Sequence, residues 1–356
     1  MKFHLPVVDT HIHVYSFDDF NTIKPAMEAY EQYTLLSSAF QPETAAGNLS
    51  IAAMKKKYPD KIYGYASFHR PQTGACCPED LLRQAKMYYE MGFDGIKMLD
   101  GKPTIRKASG VPLDDKSYDP MFSFMEDTQF PILYHINDPV EFWDEKRVPE
   151  WARKAGYLYD SSIPSAEQIK QEAIGILKKH PKLNLTIAHF FFLSNSDDYE
   201  LACSLMEQYE NLFFDVTPGW EMFEGFGRNY DKWRGFISRY ADRIVFGTDI
   251  CRNNWDKVQE PLSRCLETAD TLEQADVVCS GLALEEPVLK KIYRDTYKTS
   301  IQPDKPKEIK TALLKEYVPY LEKCIARYHL ENREQVQKDI HYYADILLRD
   351  PSAYPI

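Results

Sequence analysis

Short apolar runs alternate with amphipathic stretches along most of this chain. The runs predict eight strands, at residues 6–11, 32–38, 62–69, 93–98, 131–137, 183–190, 211–216 and 243–248. Polar and apolar positions at helical spacing predict helices between them, at residues 22–31, 43–58, 78–91, 118–128, 165–180, 197–210, 229–241 and 256–275. Eight strand–helix units in alternation predict an α/β fold, a parallel (β/α)8 TIM barrel ringed by helices. An open doubly wound sheet is the alternative, and it is disfavoured because no strand is followed by a glycine-rich phosphate loop.

Two regions exceed this repeat. The insert at 138–164, after the fifth strand, is rich in aromatic residues, and it is interpreted as a lid or substrate wall or, alternatively, as a loop packed on the helical ring. From residue 303 a Pro-Asp-Lys-Pro turn leads into two more helical patterns. The predicted organisation is therefore a barrel at 1–302 and a helical extension at 303–356 packed on the outside of the barrel. A subunit interface is the alternative role for the extension.

Composition excludes several classes of function. A net charge of −11 argues against nucleic-acid binding, because phosphate neutralisation needs a basic surface. The lysines at 55–57 fall on a helical pattern and are predicted to be solvated. No run approaches eighteen apolar residues, so no membrane span is expected. The first residues lack the apolar core of a signal peptide, and the seven cysteines include no Cys-x-x-Cys pair, which predicts reduced thiols and a cytoplasmic location.

The candidate chemistry lies at the ends of the predicted strands. His11 and His13 close the first strand, and residues two apart on a strand face the same side, so the two imidazoles form a platform for a metal ion. In a parallel barrel all strands end at one mouth, which brings distant strand ends together. The other polar residues at such ends are His69, Lys97, His135, His189, Asp215 and Asp249. Five histidines and an aspartate in these positions are hard to explain as core packing.

Several of these segments resemble the amidohydrolase superfamily, in the branch called amidohydrolase 2. They are residues 9–13 (DTHIH), 95–97 (GIK), 133–135 (LYH), 187–190 (IAHF) and 246–249 (FGTD), and the resemblance runs from about residue 6 to 300. Residues 292–296 depart from the family's usual element after the last barrel helix, and the C-terminal helices lie outside the shared region.

The resemblance implies one divalent metal held by His11, His13, His135 and Asp249. Zinc is favoured for three imidazoles and one carboxylate, with manganese or iron as alternatives. His189 would polarise the substrate or move a proton, and Asp249 would serve as the general acid–base group. The family's habits also suggest a homodimer.

Lys97 has three interpretations. In relatives with two metals a lysine at this place is carboxylated and bridges them, in which case His135 and His189 would bind the second metal. The other interpretations are a substrate-binding or electrostatic role, which is favoured, and a structural one. Further candidates for substrate contact are His69, Arg70, Trp220, Glu221 and Arg252.

The predicted function is hydrolysis of a C–N or C–O bond (amide, lactone or ester) of a small molecule by metal-activated water. The alternative is a nonhydrolytic lyase, a decarboxylase or hydratase, that acts on a small carboxylic acid at the same metal site. A noncatalytic binding barrel is a third hypothesis, and it is disfavoured because every expected ligand is present.

Overall fold

Eight parallel strands form a barrel in the computed structural model of the chain, which describes residues 4–71, 73–74, 76–328 and 330–356. Each strand pairs with the next one in the sequence. The barrel strands are β1 (Val8–His13), β2 (Gln32–Leu36), β3 (Ile62–Ala66), β4 (Gly95–Gly101), β5 (Ile132–Ile136), β6 (Leu185–Ile187), β7 (Leu212–Asp215) and β8 (Ile244–Val245).

Backbone hydrogen bonds join β1 to the segment that begins at β8. Thr10 N donates to Phe246 O at 3.0 Å, and His13 N donates to Ile250 O at 2.9 Å. Asp9 reinforces this seam, because its carboxylate accepts from the hydroxyl and the backbone N–H of Thr248 at 2.6 and 3.2 Å. The predicted (β/α)8 TIM barrel is therefore confirmed.

Helices separate the strands and cover the outside of the barrel. They are α1 (Phe17–Met27), α2 (Gly47–Lys57), α3 (Pro78–Met91), α4 (Pro103–Ser109), α5 (Asp119–Thr128), α6 (Glu150–Lys154), α7 (Ala166–Lys179), α8 (Tyr199–Gln208), α9 (Trp220–Arg228), α10 (Tyr230–Arg239), α11 (Trp255–Glu267), α12 (Glu286–Lys290), α13 (Leu314–Ile325) and α14 (Arg333–Leu348). Two π-helical segments, Lys291–Asp295 and Tyr297–Ile301, follow α12.

The local sequence explains the sharpest helix boundaries. Helix α3 begins at Pro78, whose missing N–H costs nothing in the first turn, and Glu79 and Asp80 follow at the positive end of the helix dipole. It ends before Gly92, which adopts a φ of 93° that glycine tolerates best. A Cβ at residue 92 would lie 2.0 Å from the carbonyl oxygen of Glu308, so the close passage of the later chain also requires glycine.

Apolar side chains of the described residues pack in a main core and in smaller separate clusters. The largest cluster lies between the strands and the helices, and it includes residues of α13 and α14, so the C-terminal helices share the main core. A smaller cluster joins strand residues Val8, Tyr63, Phe213 and Val245 to residues 297 and 301 of the second π-helical segment. Residues 56 and 57 hold the C-terminal end, because their ammonium groups donate to carbonyls of residues 347, 349, 351 and 352.

Some predictions differ from the structure. The predicted helix 256–275 ends at Glu267, and its last part belongs to a hairpin of β9 (Thr271–Gln274) and β10 (Val277–Ser280). The lysines at 55–57 do not form a solvated face: Lys55 is buried in an ion pair with Asp94. The cysteines, by contrast, form no disulfide: all seven are free thiols. No helix in the described part of the chain has the length and apolar content that a membrane span requires.

Candidate metal centre

His11, His13 and Asp249 form the centre of the candidate site. His11 Nε2 lies 3.2 Å from His13 Nε2 and 3.5 Å from Asp249 Oδ1, and His13 Nε2 lies 3.1 Å from the same carboxylate oxygen. Both histidines are on β1, and Asp249 follows β8, which is the neighbouring element in the barrel. In the described part of the chain this is the one group of three or more such side chains whose ligand atoms converge closely enough to share a metal ion.

These three residues fit a divalent metal. Zinc bonds to imidazole nitrogen and carboxylate oxygen are about 2.0–2.1 Å long, so a tetrahedral site separates its ligand atoms by about 3.3–3.4 Å. The observed separations of 3.1–3.5 Å agree with that spacing. Burial lowers the pKa of His11 to about 4, so its imidazole is neutral and offers a lone pair. Burial alone would raise the pKa of Asp249, but the imidazoles of His11 and His13 hold it well below its usual range.

Asp215, at the end of β7, orients His11. Its Oδ2 lies 2.8 Å from His11 Nδ1, and its Oδ1 accepts the backbone N–H groups of His189 and Thr217 at 2.7 and 3.2 Å. Burial would raise the pKa of Asp215, but His11 lowers it to about 2, so the carboxylate is ionised and can only accept. The proton of His11 therefore sits on Nδ1, and Nε2 keeps its lone pair for a metal.

His189 follows β6 in a left-handed turn. Residues 189–192 have φ values of 51–55°, a conformation that costs non-glycine residues roughly 1–2 kcal/mol each. The bond from His189 N to Asp215 and the packing of Phe190 against Phe214, Phe226 and Trp233 hold this turn. The predicted strand 183–190 is therefore too long, since β6 ends at Ile187. His189 Nδ1 lies 3.3 Å from the carbonyl of Thr217, which leaves Nε2 as the second nitrogen.

His135 lies beside His189 at the barrel mouth. The ring centroids of His135 and His189 are 4.8 Å apart, and those of His189 and His11 are 5.7 Å apart. His135 Nε2 lies 3.2 Å from Asp138 Oδ1. Burial lowers the pKa of His135. The structure thus places His135 at the same mouth but does not include it in the close group of His11, His13 and Asp249.

Lys97, on β4, is a buried cation next to His11. Its ammonium lies 3.1 Å from His11 Nε2, and the side chain is 2% exposed. It makes no ion pair with a carboxylate of any residue that the structure describes, although Asp249 and Asp215 attract it from farther away. Burial lowers the pKa of Lys97 to about 8.

Two of the five candidate substrate residues are engaged away from the metal group. His69 Nε2 lies 2.8 Å from the hydroxyl of Tyr317 on α13, and His69 Nδ1 lies 3.1 Å from Ala39 O. Arg70 forms an ion pair with Asp100. Both residues also line a cavity of about 280 Å³ beside α13.

The other three candidates differ in their surroundings. Arg252 is an exposed side chain whose guanidinium lies 3.6 Å from Asp19. Trp220 begins α9 and packs on the main core. Glu221 is buried, accepts from Trp151 Nε1 of the insert at 3.1 Å, and has its pKa raised to about 7 by burial.

Sequence reasoning missed Asp138. This residue follows β5, is 4% exposed, and contacts His135, Lys102 and Tyr159. Burial would raise its pKa, but Lys102 lowers it to about 2. The signal available in the sequence was an acidic residue three positions after a strand-end histidine, at the start of the insert.

Comparisons with known proteins identify the family of the chain. The family model Amidohydro_2, described as amidohydrolase, matches residues 8–296. No curated protein matches the sequence.

Solved structures share the fold. The 2,6-dihydroxybenzoate decarboxylase from Rhizobium has a TM-score of 0.51 at 14% identity, with 84% of this chain and 99% of that one covered. The 4-oxalomesaconate hydratase from Rhodopseudomonas palustris has a TM-score of 0.50 at 13% identity, with 83% and 95% covered. A dihydroxybenzoic acid decarboxylase from Polaromonas sp. JS666, solved with bound manganese and 2-nitroresorcinol, has a TM-score of 0.50 at 14% identity, with 84% and 97% covered.

Proposed function

The chain belongs to the Amidohydro_2 family of amidohydrolases, and from this premise we propose that it is an enzyme that uses one divalent metal to hydrolyse a C–N or C–O bond of a small molecule. The observation that carries the proposal is the convergence of His11, His13 and Asp249 at the barrel mouth within 3.5 Å of one another. Zinc is the favoured metal, with manganese or iron as alternatives.

We assign His135 as the fourth ligand. Its Nε2 is engaged by Asp138, so the nitrogen available for a metal is Nδ1. When bound, the metal supplies Lewis acidity at the reacting group. A second metal is expected only if Lys97 is carboxylated, which its lowered pKa would assist because carbon dioxide adds to the neutral amine.

Asp249 and His189 are proposed to transfer protons during the reaction. The carboxyl side chain of Asp249 is 36% exposed, so a substrate at the mouth can reach it, and it takes a proton from the attacking water and returns it to the leaving group. His189 donates its Nδ1 proton to the carbonyl of Thr217, which leaves Nε2 to accept a hydrogen bond or a proton from the substrate side.

Lys97 is proposed to bind an acidic group of the substrate. A buried ammonium without a carboxylate partner is costly, and a substrate carboxylate would neutralise it. Arg70 and Arg252 are already next to Asp100 and Asp19, which makes them weaker candidates for the same role. The substrate class is therefore a small amide, lactone or ester that carries a carboxylate.

A nonhydrolytic lyase is the second candidate. It is favoured by the same buried ammonium together with the aromatic insert, because these would suit an aromatic or unsaturated carboxylic acid. The three reactions are separated by their products: carbon dioxide from a decarboxylase, a hydrated acid from a hydratase, and a new acid group from a hydrolase.

The test is a screen of lactones, amides, esters and aromatic carboxylates with zinc-loaded or manganese-loaded protein, read by mass spectrometry of the products. Cleavage of a lactone, amide or ester that depends on Asp249 supports hydrolysis. Release of carbon dioxide from an aromatic acid, with no hydrolysis of any compound in the screen, would contradict the proposed hydrolase and support the lyase. The control is Asp231→Asn, an exposed position on α10.

A further inference from the structure

A buried chain of polar contacts runs from His135 into the insert. Asp138 Oδ1 lies 3.2 Å from His135 Nε2, and Asp138 Oδ2 accepts the hydroxyl of Tyr159 at 2.5 Å. The ammonium of Lys102 lies 3.2 and 3.3 Å from the two carboxylate oxygens. His135, Tyr159 and Lys102 thus hold the buried carboxylate of Asp138 in place.

Tyr159 belongs to the folded interior of the insert. Phe142, Val148, Ala152 and Tyr159 form an apolar cluster that is separate from the main core. The backbone N–H of Tyr159 donates to Phe142 O at 2.7 Å, and its ring lies 4.8 Å from the ring of Trp143. The hydroxyl that touches Asp138 is therefore placed by the packing of the insert.

The partner of one ring nitrogen decides what the other nitrogen can do. An ionised carboxylate only accepts hydrogen bonds, so Asp138 requires a proton on His135 Nε2, and Nδ1 then carries the lone pair. Side chains that hold a metal-binding histidine in this way typically change metal affinity 10- to 100-fold when they are removed.

We propose that Asp138 is a positioning residue through which the insert, by way of Tyr159, fixes the orientation and tautomer of His135. This inference rests on the proposed function, because His135 is a metal ligand there. It assigns the insert a part in building the metal centre, in addition to any role as a wall or lid over the substrate.

The test measures zinc dissociation constants by chelator competition for the full chain, four single variants and the double variant Asp138→Ala/His135→Ala. Asp138→Ala is expected to weaken zinc binding about 10- to 100-fold, and Tyr159→Phe in the same direction by a smaller factor. Trp151→Phe is the matched control, because it removes a different polar contact of the insert, to Glu221, without touching Asp138. It is expected to leave the zinc dissociation constant unchanged.

His135→Ala supplies the decisive background. Asp138→Ala should have no further effect on zinc affinity when His135 is already absent, and the visible absorption of the cobalt-loaded Asp138→Ala protein should move towards that of cobalt-loaded His135→Ala. Circular dichroism verifies folding, and Tyr159→Phe decides the question if Asp138→Ala does not fold.

Two results overturn the inference. Wild-type zinc affinity of the Asp138 and Tyr159 variants would show that His135 needs no such support, and an equal loss in the His135→Ala background would show that Asp138 acts elsewhere. A third outcome, wild-type zinc affinity in the His135→Ala variant, would instead contradict the proposed function, because it would remove His135 from the proposed ligand set.

Discussion

Asp215→Asn should perturb the candidate metal centre through the residue that orients His11. Asp215 accepts on both oxygens: His11 Nδ1 on one, and the backbone N–H groups of His189 and Thr217 on the other. Asparagine has the same shape but offers one accepting oxygen and one donating NH2 group. In either orientation of the amide, the NH2 group faces a donor that the carboxylate now satisfies.

The two orientations have different costs. With the NH2 group towards His11, the imidazole must move its proton to Nε2, and the lone pair for the metal is lost. With the NH2 group towards His189 and Thr217, two buried N–H groups lose their acceptor beside a left-handed turn. Leaving a buried donor unsatisfied costs about 1–3 kcal/mol, and losing the support of a metal-binding histidine weakens metal binding about 10- to 100-fold.

We therefore expect at least one of two changes in Asp215→Asn, according to the orientation that the amide takes. The free energy of unfolding of the metal-free protein, from urea titration, should fall by about 1–3 kcal/mol, and the zinc dissociation constant, from chelator competition, should rise about 10- to 100-fold. Asp231→Asn, at an exposed site on α10, removes the same charge and is the control for overall electrostatics. Wild-type values of both the zinc dissociation constant and the free energy of unfolding in Asp215→Asn would refute the role assigned to Asp215, since either orientation of the amide must disturb one of its two sets of contacts.

Three further substitutions test other parts of the structure. In the folded chain the pKa of Glu221 is about 7 against 4.5 for an ordinary glutamate, so the contribution of this residue to the free energy of unfolding should fall by up to about 3 kcal/mol as the pH rises through that window; in urea titrations the wild type should lose that much stability relative to Glu221→Gln, and a difference between the two proteins that does not change with pH would contradict the assignment. Lys55→Met leaves Asp94 buried without its cation and should lower the free energy of unfolding by about 3–5 kcal/mol in urea titration. A decrease below about 1 kcal/mol would contradict this account of the ion pair. Tyr317→Phe removes the hydroxyl next to His69 and should cost about 1–3 kcal/mol in urea titration without changing zinc affinity; a change in zinc affinity would place His69 in the metal centre instead.

The sequence predicted the barrel well because its signals are local. The period of apolar residues marks each strand, and proline and glycine mark helix ends such as those of α3 at Pro78 and Gly92. The convergence of His11, His13 and Asp249 then follows from one rule, that parallel strands end at the same mouth.

Contacts between distant residues explain what the sequence did not predict. The left-handed turn at residues 189–192 contains no glycine, and it is held by the distant Asp215. The position of Lys55 on a helix predicts solvent exposure, but Asp94 lies beside it in the fold. Asp138 was missed for the same reason, because its partners Lys102 and Tyr159 come from two other segments.

Metal content tests the central proposal, a metal centre at the barrel mouth, most directly. The measurement is the number of zinc ions bound per chain, by elemental analysis after dialysis against limiting free zinc, for the wild type, His11→Ala, Asp249→Ala and the exposed control Asp231→Asn. We expect one zinc in the wild type and in the control, or two if Lys97 is carboxylated, and a loss of zinc in both site variants. Stoichiometric zinc in both His11→Ala and Asp249→Ala would contradict the proposed metal centre.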